Sequence, residues 1–130
     1  MTDLLILAEG GSWERRFQVS SLAALSAASG RSVSLALFFG ALDAWVTGEW
    51  QRPDPSPPLT RERIEAVGAP PLAEMIEDAR AGGHLTLYAC SASMRFLGLS
   101  AGEVQARVDL IAGWQTFQKL VFEAGRVVTF

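Results

Sequence analysis

One cysteine, Cys90, is all that this chain of 130 residues contains, so no internal disulfide can form. Nothing therefore points to an oxidising compartment. Long hydrophobic runs are missing too. No stretch approaches the ~20 apolar residues that span a bilayer. The first apolar run, over 4–8, has no basic segment before it and is far too short for a secretory signal. Basic charge is also scarce: the net charge of -3 offers nucleic acid no attractive surface. With a single histidine beside the single cysteine, the chain lacks the ligand cluster that a metal site needs. These absences predict a soluble cytoplasmic protein with no membrane segment, no nucleic-acid partner, no metal and no cofactor.

What is present is apolar. Residues of that kind make up 49% of the chain, and four of them are tryptophan. A domain this small has much surface for its volume, so part of the excess is expected to cover a homo-oligomer interface. Trp45, Trp50 and Trp114 are the candidates for that role. For Trp45 and Trp50, packing on the chain's own core is an equal alternative. The length suits one domain over 1–130, large enough to bury a core.

Along the chain, apolar runs and helical patterns alternate. The continuous run within 3–8 reads as a strand buried on both faces, closed by Glu9-Gly10-Gly11. Ser12 can cap a helix over 13–29 with Glu14 in its first turn. Trp13, Phe17, Leu22 and Leu25 supply its apolar positions. Arg15 and Arg16 read as surface charges. A second strand over 32–39 ends at Gly40, and a short helix follows over 41–46. Pro53, Pro55, Pro57 and Pro58 make 48–58 a loop or lid. Pro70 and Pro71 open a helix carrying Leu72, Met75, Ile76 and Ala79, which Gly82-Gly83 ends. A third strand is expected over 84–89, then a short helix over 94–97. Ser100 and Glu103 have capping-box spacing and restart a helix. A last helix over 113–123 is expected to bury Trp114, Phe117, Leu120 and Val121, before a final strand over 126–130. The alternation predicts an α/β three-layer sandwich around a mostly parallel sheet of four or five strands.

Ligands of such sheets bind outside the carboxyl ends of the strands. Glu9, Gly10, Gly11, Ser12, Gly40, Cys90, Ser91 and Ser93 are the residues this places there. At a strand-to-helix turn, Cys90 would meet the orphan N–H groups of a helix start, which favour thiolate. Ser91 and Ser93 add hydroxyl donors. Glu9 can accept a proton or contact a ligand, and Gly10-Gly11-Ser12 can present N–H groups to an anion. The glycine pattern is neither a P-loop nor a complete dinucleotide fingerprint, which weighs against a flavodoxin-like cofactor site. His84 lies six residues before Cys90 on one strand, ~20 Å away at ~3.3 Å per residue, so no dyad forms within a subunit.

The segment Tyr88-Ala89-Cys90-Ser91-Ala92-Ser93-Met94, followed by Leu97-Gly98-Leu99, resembles the cysteine-bearing segment of the DsrE/DsrF-like (DsrE/TusD) sulfur-relay family. Gly113-Trp114-Gln115-Thr116-Phe117, the closing Val127-Val128-Thr129-Phe130, and the opening Glu9-Gly10-Gly11 and Phe38-Phe39-Gly40 turns are similar too. The resemblance implies a compact α/β domain that assembles into dimers, trimers or hexamers. It also implies a sulfur carrier or sulfurtransferase relay component, with Cys90 as persulfide acceptor between donor and acceptor proteins. A non-catalytic ligand-binding or assembly subunit of the same fold is the alternative.

Overall fold

The structure, a computed structural model, describes residues 2–130. Five parallel strands form one sheet in the order β4-β3-β2-β1-β5. They are β1 Leu4–Ala8, β2 Val33–Leu37, β3 Leu85–Cys90, β4 Leu110–Ala112 and β5 Arg126–Thr129. The helices are α1 Trp13–Ala28, α2 Phe39–Val46, α3 Arg61–Val67, α4 Leu72–Ala81, α5 Ser91–Phe96, α6 Ala101–Gln105 and α7 Trp114–Glu123. The apolar runs of β1 and β2 lie in the middle of the sheet because only there are both faces of a strand covered.

From β1 to β4 the chain steps in one direction across the sheet, and right-handed crossovers place the intervening helices on one face. On that face Ile6, Leu35 and Leu87 meet Val19 and Ala23 of α1, Ile76 of α4 and Val104 of α6. The step from β4 back to β5 reverses direction and sends α7 to the opposite face. Phe117 and Leu120 pack there against Ala36, Phe38 and Cys90. The result is the expected three-layer α/β sandwich, with every strand parallel.

Some local expectations fail. In α1 the inward stripe is Trp13, Arg16, Ser20, Ala23 and Ala27, while Phe17 and Leu25 are exposed. That stripe also steps by three and four, and its small residues let the helix sit close to its neighbours. Trp114 is 56% exposed rather than buried, because Phe117 takes the inward position on α7. The third strand runs on to Cys90 and α5 begins at once. β4 and α3 carry little signal in the sequence: β4 has three residues with Leu110 exposed, and α3 buries only Ile64.

Arg16 is the largest departure. It is 0% exposed, not a surface charge. Its guanidinium donates to the carbonyls of Glu49, Trp50 and Arg52 and pairs with Asp54. Burial, and then the nearby Arg52, lower its pKa to about 10, so it stays charged at neutral pH. Trp50 is buried on the chain's own core, its indole donating to Ser20 Oγ at 2.9 Å. Trp45 is buried as well and meets Trp50 edge-on at 5.5 Å. Both tryptophans therefore belong to the core and not to an interface. The proline segment is a packed-down loop held by an arginine, not a free linker.

A second polar clamp joins α4 to the sheet edge. Asp109 accepts the Leu87 N–H at 2.7 Å and pairs with Arg80 at 2.9 Å. Burial alone would raise the Asp109 pKa, but the bonds from Arg80 and Leu87 outweigh it and hold it below 3.8. A carboxylate depressed on folding adds stability above its unfolded pKa, and that stability is lost as pH falls through the folded value. Asp109→Asn should therefore lower Tm at neutral pH and flatten the fall in Tm between about pH 5 and 3. Parallel wild-type and variant profiles would refute this role.

Candidate functional site

Successive connections diverge at the carboxyl ends of β3 and β4. β3 exits into α5 and α6 on the α1 face, whereas β4 exits into α7 on the other. In an open parallel sheet such a divergence is where ligands and chemistry are found. Cys90 is the last residue of β3, with Ala112 of β4 beside it in register. It is also the N-cap of α5, and its Sγ accepts the Ser93 N–H at 3.5 Å. A sulfur in that position faces backbone donors that stabilise negative charge.

The thiol is nonetheless enclosed, with Cys90 only 1% exposed. Phe38, Phe117 and Ala36 pack with it, and Tyr88, Ala92 and Ala112 border the group. The rings interlock: Phe38 lies 5.1 Å from Phe117 and 5.4 Å from Trp114, which in turn is 5.8 Å from Phe117. Ser93 is fully buried, and its Oγ has no hydrogen-bond partner among the described residues. A buried hydroxyl left unpaired is costly, which makes it available to any acceptor that enters. Ser91 is half-buried on the other side of the turn, its Oγ facing Gly113 at the start of α7.

The remaining candidates form a neighbouring group at the ends of β1 and β2. Gly11 and Gly40 meet backbone to backbone, so closely that a Cβ on either would stand 3.2 Å from the other's main chain. Glu9 lies beside them, exposed, with its N–H bonded to the Phe130 carbonyl and its own carbonyl accepting from Ala41. Gly10 also donates to Phe130, and the Arg15 stem crosses over it. Ser12 is the N-cap of α1, but the Trp13 N–H donates to the Asp54 carbonyl of the proline loop. Ser56 donates to the Glu14 carboxylate just beyond. Burial alone would raise Glu14, but hydrogen bonds from Ser12 and Ser56 hold its pKa below 4.5. The start of α1 thus donates into the chain's own loop.

The sequence brings the Phe39-Gly40 turn to this end of the sheet but does not reveal that Phe38, Phe39, Trp114 and Phe130 line one cavity. A cavity of about 240 Å³ lies between Glu9, Phe38, Phe39, Trp114, Thr129 and Phe130. Phe39 has φ 38°, in the left-handed region that a bulky residue rarely adopts. The available signal was Phe38-Phe39-Gly40 itself, an aromatic pair carried past a strand end into a glycine turn. His84 precedes β3 at the end opposite Cys90, so the two do not meet within the chain. Among the described residues no group of three or more His, Cys, Asp or Glu side chains could hold a metal ion. Likewise, none of the helices is long and apolar enough to cross a membrane.

No curated protein matches this chain. Among solved structures, a protein of unknown function, MTH1491 from Methanobacterium thermoautotrophicum, superposes with a TM-score of 0.63 at 12% sequence identity, covering 100% of both chains. At that identity the likeness concerns the fold. The model of the DsrE/DsrF-like family matches residues 12–130, a span that takes in α1, the Cys90 turn and the final strand. The chain belongs to the DsrE/DsrF-like family.

Proposed function

We propose that this chain is a sulfur-relay component that carries sulfane sulfur as a persulfide on Cys90. The observation that supports it is the position of the thiol, capping α5 at the divergence of β3 and β4 with its sulfur on the Ser93 N–H. The Cys90 thiolate attacks the outer sulfur of a donor protein's persulfide. A new S–S bond forms, the donor's S–S bond breaks, and the donor leaves as thiolate. Cys90 then holds S–SH, and an acceptor thiolate removes the outer sulfur by the same exchange. With no second cysteine, turnover depends on partner proteins. A lone carrier thiol calls for the reducing cytoplasm. Exposed Phe122, Phe96 and Leu110 support self-association into a dimer, trimer or hexamer.

Burial of Cys90 favours a second reading, a ligand-binding or assembly subunit whose cysteine is packing. Intact mass after incubation with a persulfide donor separates the two. The carrier gains a one-sulfur adduct that Cys90→Ser lacks, and its thiol alkylates under native conditions. Each 1.4 kcal/mol of opening free energy slows that alkylation about tenfold. An adduct persisting in Cys90→Ser would sink the carrier. A wild-type thiol that gains no sulfur and alkylates only on unfolding would establish the subunit.

A further inference from the structure

The cavity at the ends of β1, β2 and β5 has a chemistry distinct from that of the thiol. Its lining is aromatic: Phe38 and Trp114 pack on each other at 5.4 Å, and Phe39 and Phe130 join them beside Leu7. Phe39 is 43% exposed, with its backbone held at φ 38°. Strain of that kind costs about 1–3 kcal/mol and persists only where the surrounding structure over-determines it. One acidic side chain, Glu9, shares this lining. Among the described residues its carboxylate enters no ion pair, even though the Arg15 stem lies over the adjacent Gly10. Thr129 adds a hydroxyl.

Aromatic faces carry negative potential and attract cations, most strongly where water is partly excluded. An unpaired carboxylate beside them adds the same preference and repels anions. A neutral apolar ligand would gain the rings but leave Glu9 partly desolvated without a partner. At about 240 Å³ the space is below the range of drug-sized pockets and suits a compact molecule.

We infer that this cavity binds a small organic ammonium ion, its charge on Glu9 and its apolar body among Phe38, Phe39, Trp114 and Phe130. The inference stands apart from the sulfur chemistry, so Cys90→Ser should bind equally well.

Amide NMR of the full chain, titrated with benzyltrimethylammonium, benzyl alcohol and benzoate, tests it. The cation should shift the amides of Glu9, Phe39, Trp114 and Thr129 and bind about tenfold more tightly than the alcohol, with benzoate weakest. Glu9→Gln, at an exposed position, should erase that preference while leaving alcohol binding in place. Phe39→Gly relieves the positive φ and should weaken cation binding without lowering Tm. Equal affinity for cation and alcohol would overturn the proposal, as would a Glu9→Gln variant that keeps the preference. A cation that shifts none of these amides, as when a second copy of the chain covers the cavity, would overturn it too.

Discussion

Replacing Arg16 by alanine is expected to remove about 3–5 kcal/mol of stability, the usual loss when one partner of a buried charged group is deleted. The Glu49, Trp50 and Arg52 carbonyls would lose their donor and Asp54 its counter-ion. Domains of this size hold only about 5–15 kcal/mol in total, so the variant should sit near its folding threshold. Urea denaturation measures the loss, and limited proteolysis should place the first new cuts within 48–58. Arg16→Lys should recover only part of it, because an ammonium cannot spread its donors over several carbonyls as a planar guanidinium does. A loss below about 1 kcal/mol with unchanged proteolysis would mean that Trp50 and Gln51 hold the loop without the arginine. The contacts that would then hold it are the Trp50 bond to Ser20 and the bonds of Gln51 to the Pro70 carbonyl and the Ala73 N–H.

Phe117→Ala should be comparably severe, at about 3–5 kcal/mol, because Phe117 is a fully buried aromatic. Its consequence for chemistry is the more useful one. Phe117 is the fully buried residue of α7 in the cluster with Phe38 and Cys90, so shrinking it opens the enclosure around the thiol. Phe117→Leu, which retains more of the volume, should cost about 1 kcal/mol and keep the fold. Native alkylation of Cys90 should then accelerate in proportion, about tenfold for each 1.4 kcal/mol by which the enclosure is weakened. If stability falls while the alkylation rate stays constant, this ring cluster is not what shields the sulfur.

The parts of the fold that could be read in advance are those where the chain's own pattern decides. β1 is apolar throughout, as a short strand covered on both sides is, and the glycines after it mark its exit, whereas β2 ends at Leu37 and Gly40 lies inside α2. Cys90 at a strand-to-helix junction follows from the same reasoning. What could not be read depends on distant partners. Nothing local says that Arg16 turns inward, because the carbonyls it satisfies lie more than thirty residues away. Trp45 and Trp50 go to the core for a similar reason, their indole donors finding Arg107 and Ser20. β4 is defined by pairing with β3 rather than by any apolar run of its own. At the site, the 1% exposure of Cys90 depends on α7, which follows β4 and lays Phe117 against the cysteine, and no spacing near the cysteine encodes that.

The contact between Gly11 and Gly40 ties together the turns that carry Glu9 and Phe39. Two loops that touch main chain to main chain, with Glu9 bonded to both Phe130 and Ala41, cannot swing independently. Glu9 and Phe39, which flank these glycines and line the cavity, are thereby preorganised: a guest would meet a shape already made and pay little entropy to order it. Discrimination then falls to size and charge at the moment of entry, with no closing motion to commit the wrong guest. Any side chain larger than hydrogen at either glycine would wedge the rim apart by a few tenths of an ångström and blur that choice.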